Sequence, residues 1–211
     1  MTPARGGPVI LCLEGPSYAG KTTVIRRLRE LLPEVGALFL ECYVERIPSE
    51  KDVPPPRTRS AAEQLRAFRI FMAIEAERVA QVADGSGGLV VLDRSVDTLL
   101  AHAYALEQMY GFQVYGQVRE ILAELPYLRP DQTVYLDASP GALRLRRAAE
   151  IPDSAEDDYF LHDSRFLAYT REYFVGPRQG PVARQVAVAP SDGPVDTVAN
   201  NVRVLVESWS R

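Results

Sequence analysis

The sequence predicts a three-layer α/β sandwich: a five-stranded parallel sheet with helices on both faces and a helical lid. Three observations lead there. Short apolar runs alternate with longer helix-forming runs along all 211 residues, the pattern of a parallel sheet whose crossovers are helices. The composition, 46% hydrophobic and 25% charged, is that of a globular chain with a well-buried core. Residues 15 to 22 read Gly15-Pro16-Ser17-Tyr18-Ala19-Gly20-Lys21-Thr22 and fit G-x-x-x-x-G-K-[ST] at every fixed position. That motif is the phosphate loop, and it needs a strand before it and a helix after it. Both are present, so the sandwich is expected to be a P-loop NTPase fold, one domain over residues 1–211.

The elements follow in order. Val9-Ile10-Leu11-Cys12-Leu13 is the first strand, and Thr23 to Leu32 the first helix. Ala37-Leu38-Phe39-Leu40-Glu41 is a short second strand. Residues 48–58 hold four prolines and several charges, and read as a stiff, exposed connection. Ser60 to Ala83 forms one long helix, with Leu65, Phe68, Met72 and Val79 at three- and four-residue spacing. Leu89 to Asp93 is apolar enough for the centre of a parallel sheet. Helices are expected at about 96–110 and 114–124, a strand at Thr133–Leu136 and a helix at Pro140–Glu150. An aromatic-rich helix at about 159–174, a strand at Val182–Val188 and a closing helix at Val195–Trp209 complete the chain.

The loop defines a nucleotide site. Its N–H groups converge on phosphate oxygens at the positive end of a helix. ATP contacts are expected from Gly15, Ser17, Ala19, Gly20, Lys21, Thr22 and Thr23. Lys21 should reach the β- and γ-phosphates, and Thr22 should ligate Mg²⁺. Asp93 ends an apolar strand beside the loop, placed to hold the same Mg²⁺; the competing reading is a helix N-cap. Arg94 follows, its guanidinium suited to a phosphate or carboxylate.

These motifs resemble the thymidylate kinases. The loop with Glu14 before it, the strand ending in Asp93-Arg94, the segment Pro130 to Pro140, and Phe71 to Arg78 carry the likeness across residues 8 to 205. The resemblance implies an ATP-dependent kinase with a lid at about residues 144–160. It gives Arg146 as the lid arginine over the γ-phosphate, Arg144 and Arg147 being its neighbours. It gives Arg78 as a contact to an acceptor phosphate, with Arg69 able to line the same pocket, and it implies a homodimer packed through the long helices. Asp93-Arg94-Ser95 is also similar to the acid-Arg-Ser motif of deoxyribonucleoside kinases, which carry a general base at the end of the second strand. Glu41 stands there. An acceptor hydroxyl needs such a base, whereas a phosphate acceptor does not. Glu41, Arg69, Arg78 and Arg94 are thus the substrate-binding candidates, and Lys21, Glu41, Asp93, Arg94 and Arg146 the catalytic ones.

Ser17, Ser95 and Ile74 depart from the thymidylate kinase pattern, so a standard thymidylate kinase is not the expectation. The alternatives are a kinase of a small alcohol or antibiotic metabolite, or a regulatory NTPase. A net charge of −4 offers no broad basic surface for nucleic acid. Two cysteines, Cys12 and Cys42, and two histidines are too scattered for a zinc motif. With no apolar stretch near 18 residues and no signal-peptide core, a soluble cytoplasmic protein acting on a small molecule is expected.

Overall fold

The computed structural model describes residues 7–31, 36–85, 88–151, 159–177 and 180–209. Pro152 to Asp158, within the expected lid, lies outside them. Five parallel strands form one sheet in the order β2-β3-β1-β4-β5. They are β1 (Val9–Glu14), β2 (Leu38–Leu40), β3 (Leu89–Asp93), β4 (Gln132–Asp137) and β5 (Gln185–Pro190). β1 sits at the centre, with Val9 opposite Leu89 on β3 and Leu11 opposite Gln132 on β4.

Side-chain alternation along the strands feeds two cores. Leu11, Leu13, Val91, Val134 and Leu136 face a layer that holds α1 (Lys21–Leu31), α5 (Pro140–Glu150) and α7 (Val195–Trp209). Cys12, Leu40, Val90 and Leu92 face the opposite side, under the end of α2 (Ala61–Ala83). There α2 is joined by α3 (Val96–Tyr110), α4 (Tyr115–Ala123) and α6 (Ser164–Val175) around Phe68, Leu100, Tyr104 and Tyr173. Each fully buried Leu or Phe of these cores contributes about 1.5–3 kcal/mol.

Helix starts are capped as their residues dictate. Ser60 accepts from Glu63 N–H at 3.2 Å, and Glu63 reaches back to Arg59 N–H at 2.7 Å. Ser139 precedes Pro140 at the start of α5. The expected helix at 159–174 divides in two, because Asp163 caps α6 by accepting from Arg165 and Phe166 N–H. Residues 160–162 are a single 3-10 turn before it. The proline-rich connection is exposed at most of its positions, and it also meets the cleft. Val53 to Pro56 wall the central cleft, and Thr58 is buried. No helix among the described residues is long and apolar enough to cross a membrane.

Candidate active site

The phosphate loop leaves the carboxyl end of β1 and enters α1. Gly15 sits at φ +137°, and a Cβ there would stand 2.6 Å from the Leu136 carbonyl oxygen on β4. Only glycine fits. Lys21 is buried and its Nζ donates to the carbonyls of Gly15 at 3.0 Å and Pro16 at 2.7 Å. Burial, then the charge of Arg94, push its amine down to about 7. Thr22 Oγ1 donates to Asp93 Oδ2 at 2.7 Å. A hydroxyl beside a buried carboxylate is the oxygen donor set that suits Mg²⁺, which needs few protein ligands besides nucleotide phosphates. The N-cap of α3 is Ser95, not Asp93, so the carboxylate is left for the cleft. Arg94 adopts φ +68° and sends Nη1 to the Gly15 carbonyl at 3.2 Å.

These groups open on a cleft of about 700 Å³ walled by the phosphate loop, α2, α3 and α6. Phe68, Phe71, Leu99, Phe166 and Phe174 form its apolar side. Gln64 faces it with Oε1 accepting from Thr58 Oγ1 at 3.1 Å. His102 donates to the Pro56 carbonyl at 2.7 Å and packs edge-on against Phe166; burial lowers its pKa to about 4, so the ring is neutral. At the loop's outer side Tyr159 donates to Ser17 Oγ at 3.0 Å, and Tyr159 and His162 stack edge-on against Tyr18.

Comparison with known proteins finds kinases in sequence and in fold. The chain is 31% identical over 153 residues to the thymidylate kinase of Chlorobium limicola (strain DSM 245 / NBRC 103803 / 6330), spanning 67% of this chain and 66% of that protein. It is 29% identical over 180 residues to the thymidylate kinase of Prosthecochloris aestuarii (strain DSM 271 / SK 413), spanning 77% and 76%. Among solved structures, a deoxyadenosine kinase from M. mycoides superposes with a TM-score of 0.69 at 14% identity, over 95% of this chain and 100% of that one. The thymidylate kinase of Candida albicans gives 0.65 at 16% identity, over 97% and 93%. No protein-family model matches the chain.

The chain belongs to the thymidylate kinase-like group of P-loop kinases.

In this kinase Gly15, Ser17, Gly20, Lys21, Thr22, Thr23, Asp93 and Arg94 all border the cleft. Five other expected site residues lie elsewhere: Ala19, Glu41, Arg69, Arg78 and Arg146. Glu41 is exposed and off the cleft, since β2 ends at Leu40 and the alternation that buries Leu40 and Cys42 turns Glu41 outward. Arg69 lies on the outer face of α2. Arg78 is wholly buried behind the cleft, spent on Glu75 and on the Arg94 carbonyl. Arg146 does not border the cleft. It grips the outside of the loop through the carbonyls of Tyr18 at 3.3 Å, Ala19 at 3.1 Å and Ser191. With Ala19 and Thr23 it borders a separate hollow of about 160 Å³.

Other residues carry weight that the sequence reading did not assign. Glu14, fully buried, accepts from Ser95 N–H at 2.8 Å, from Ser95 Oγ at 2.9 Å and from Thr98, strapping β1 to α3. Glu45 borders the cleft with Thr22 and Asp93, and burial, then the charges of Asp93 and Glu41, hold its carboxyl above the ordinary value. Its spacing four residues past Glu41, beyond the strand, was the only signal available.

Proposed function

We propose that this kinase transfers the γ-phosphoryl group of ATP to a hydroxyl of a nucleoside-like acceptor. The make-up of the cleft between α2, α3 and α6 carries this reading. Flat apolar rings suit a base, and Thr58 orients the Gln64 amide so that its N–H₂ is left for an acceptor carbonyl or ring nitrogen. Neither Arg69 nor Arg78 borders the cleft. Its cations among the described residues are Lys21, Arg26 and Arg94, a set matched to the phosphates of ATP.

Transfer rests on positioning and charge neutralisation. Lys21 would hold the β- and γ-phosphates and Arg94 the transferred group. Mg²⁺ held by Thr22 and Asp93 would neutralise charge on the phosphate oxygens. Glu45, rather than Glu41, would take the acceptor proton. Residues 144–160 acting as a lid, one domain over the chain and a cytoplasmic homodimer belong to the same reading. The apolar stripe of α2 with Phe68 and Met72 lies in the core, so a dimer packed through the long helices would use the outer face of α2 around Ala73, Ala76 and Ala80.

A nucleoside monophosphate acceptor is the second reading, favoured by Arg26 in the cleft and by the thymidylate kinase relatives. A coupled ATP-consumption assay on deoxynucleosides and their monophosphates separates the two. Turnover is expected on deoxynucleosides, reduced about 10²–10⁴-fold by Glu45→Gln and little changed by Glu41→Gln. Turnover confined to monophosphates, insensitive to Glu45→Gln, would overturn the hydroxyl reading.

A further inference from the structure

Arg94 holds φ +68°, a left-handed backbone that a residue with a Cβ disfavours and keeps only when its surroundings impose it. Two bonds do so. Arg94 N–H donates to the Leu13 carbonyl at 3.1 Å, and the Arg94 carbonyl accepts from Arg78 Nη2 at 2.9 Å. Arg78 in turn is held on three sides. Its Nη1 meets Glu75 Oε2 at 3.2 Å with both side chains fully buried, and its guanidinium lies 4.6 Å from the centre of the Tyr43 ring. Glu75 also accepts from Tyr43 Oη at 2.8 Å and from Leu128 N–H at 2.8 Å. A buried ion pair adds little stability over apolar packing, so its place directly behind the cleft points to another use.

We infer that Arg78 is a positioning residue: it fixes the Arg94 carbonyl, and so the direction from which the Arg94 guanidinium enters the cleft. That Arg94 then meets the transferred phosphoryl group rests on the function proposed above. Glu75 and Tyr43 keep Arg78 from following Arg94 into the cleft.

A double-mutant cycle on Arg78→Lys and Arg94→Met tests this. Lysine keeps the charge but cannot span Glu75 and the Arg94 carbonyl together. Arg78→Lys is expected to lower kcat about 10-fold with a smaller change in KM for ATP, and to cost less than about twofold once Arg94 is methionine. The same loss in both backgrounds, or no loss in either, overturns the proposal. If Arg78→Lys does not fold, Tyr43→Phe replaces it in the cycle, since it frees Glu75 without removing the ring. A second arm needs no turnover. In ¹⁵N-arginine spectra the Arg94 Nε–Hε signal, identified by its loss in Arg94→Met, is expected to move in the Arg78→Lys or Tyr43→Phe variant. If that signal stays in place, the inference fails even where the kinase reading stands. If wild type transfers to no acceptor, the function above fails and the spectra alone decide the positioning.

Discussion

Lys21 has a charge that depends on what lies beside it. Its amine sits at about 7 in the free protein, and a phosphate group against it favours the charged form and raises that value. Between the free and bound values, nucleotide binding takes up a proton, so affinity falls as pH climbs above 7. Calorimetric titration of ATP at pH 8 in two buffers of different ionisation enthalpy should show about one proton taken up. Equal enthalpies in both buffers would mean that Lys21 is charged before ATP arrives. Lys21→Ala should lower transfer about 10²–10³-fold and leave the melting temperature within a few degrees. Lys21, Thr22 and Asp93 were legible in the sequence because a strand end and a motif fix their direction. Glu41 and Arg69 were not, since which way a side chain turns past a strand end or around a helix depends on what packs there. Arg78 lies on the buried stripe of α2 with Phe68 and Met72. Sequence spacing cannot tell a charge facing substrate from one matched by a buried Glu75.

Elements were read well where local chemistry fixes both ends. β3, α5 and α7 have the expected bounds. β5 starts at Gln185 instead of Val182 because the N–H groups of Val182 and Ala183 are committed to Asp97, at 2.7 Å and 3.1 Å. That bond crosses more than eighty residues, and no local pattern announces it. The prolines of residues 48–58 were read as surface. Proline also makes a stiff wall with no N–H to satisfy, which suits Val53–Pro56 at the cleft. The β1–α1 junction gives a prediction of its own. Gly15 and Gly111 both have positive φ, but a Cβ at Gly111 meets nothing within 4 Å. Gly111→Ala should cost about 1–2 kcal/mol in urea unfolding. Gly15→Ala adds a clash with the β4 backbone and should cost about 3 kcal/mol or more. Equal costs would mean that the loop yields more easily than its packing implies.

Across the whole molecule Asp97 ties three parts together. It accepts from Tyr173 Oη on α6 at 2.7 Å and from the backbone leading into β5, and it belongs to the first turn of α3. Burial is the main cause that pushes its carboxyl up to about 6, against an ordinary 3.8. The folded state therefore binds the proton more tightly than the unfolded chain. The resulting stabilisation is complete below about 3.8 and is lost as pH rises through about 6. Compared with Asp97→Asn, wild type should lose up to about 3 kcal/mol of unfolding free energy from pH 4 to pH 7. A constant difference between the two curves over that range would rule this titration out.

The central place of β1 in the sheet has a consequence for synthesis. Its partners, Leu89 on β3 and Gln132 on β4, lie some 80 and 120 residues further along. At ribosomal speeds of 5–20 residues per second, the apolar run Val9–Leu13 waits about 4–16 s for its first neighbour to be made. The strand that later carries the phosphate loop is thus a sticky segment of the nascent chain, and a natural client for a holding chaperone. Substitutions at Leu11 or Leu13 should therefore show first as lost soluble yield in cells, before any change in the purified kinase.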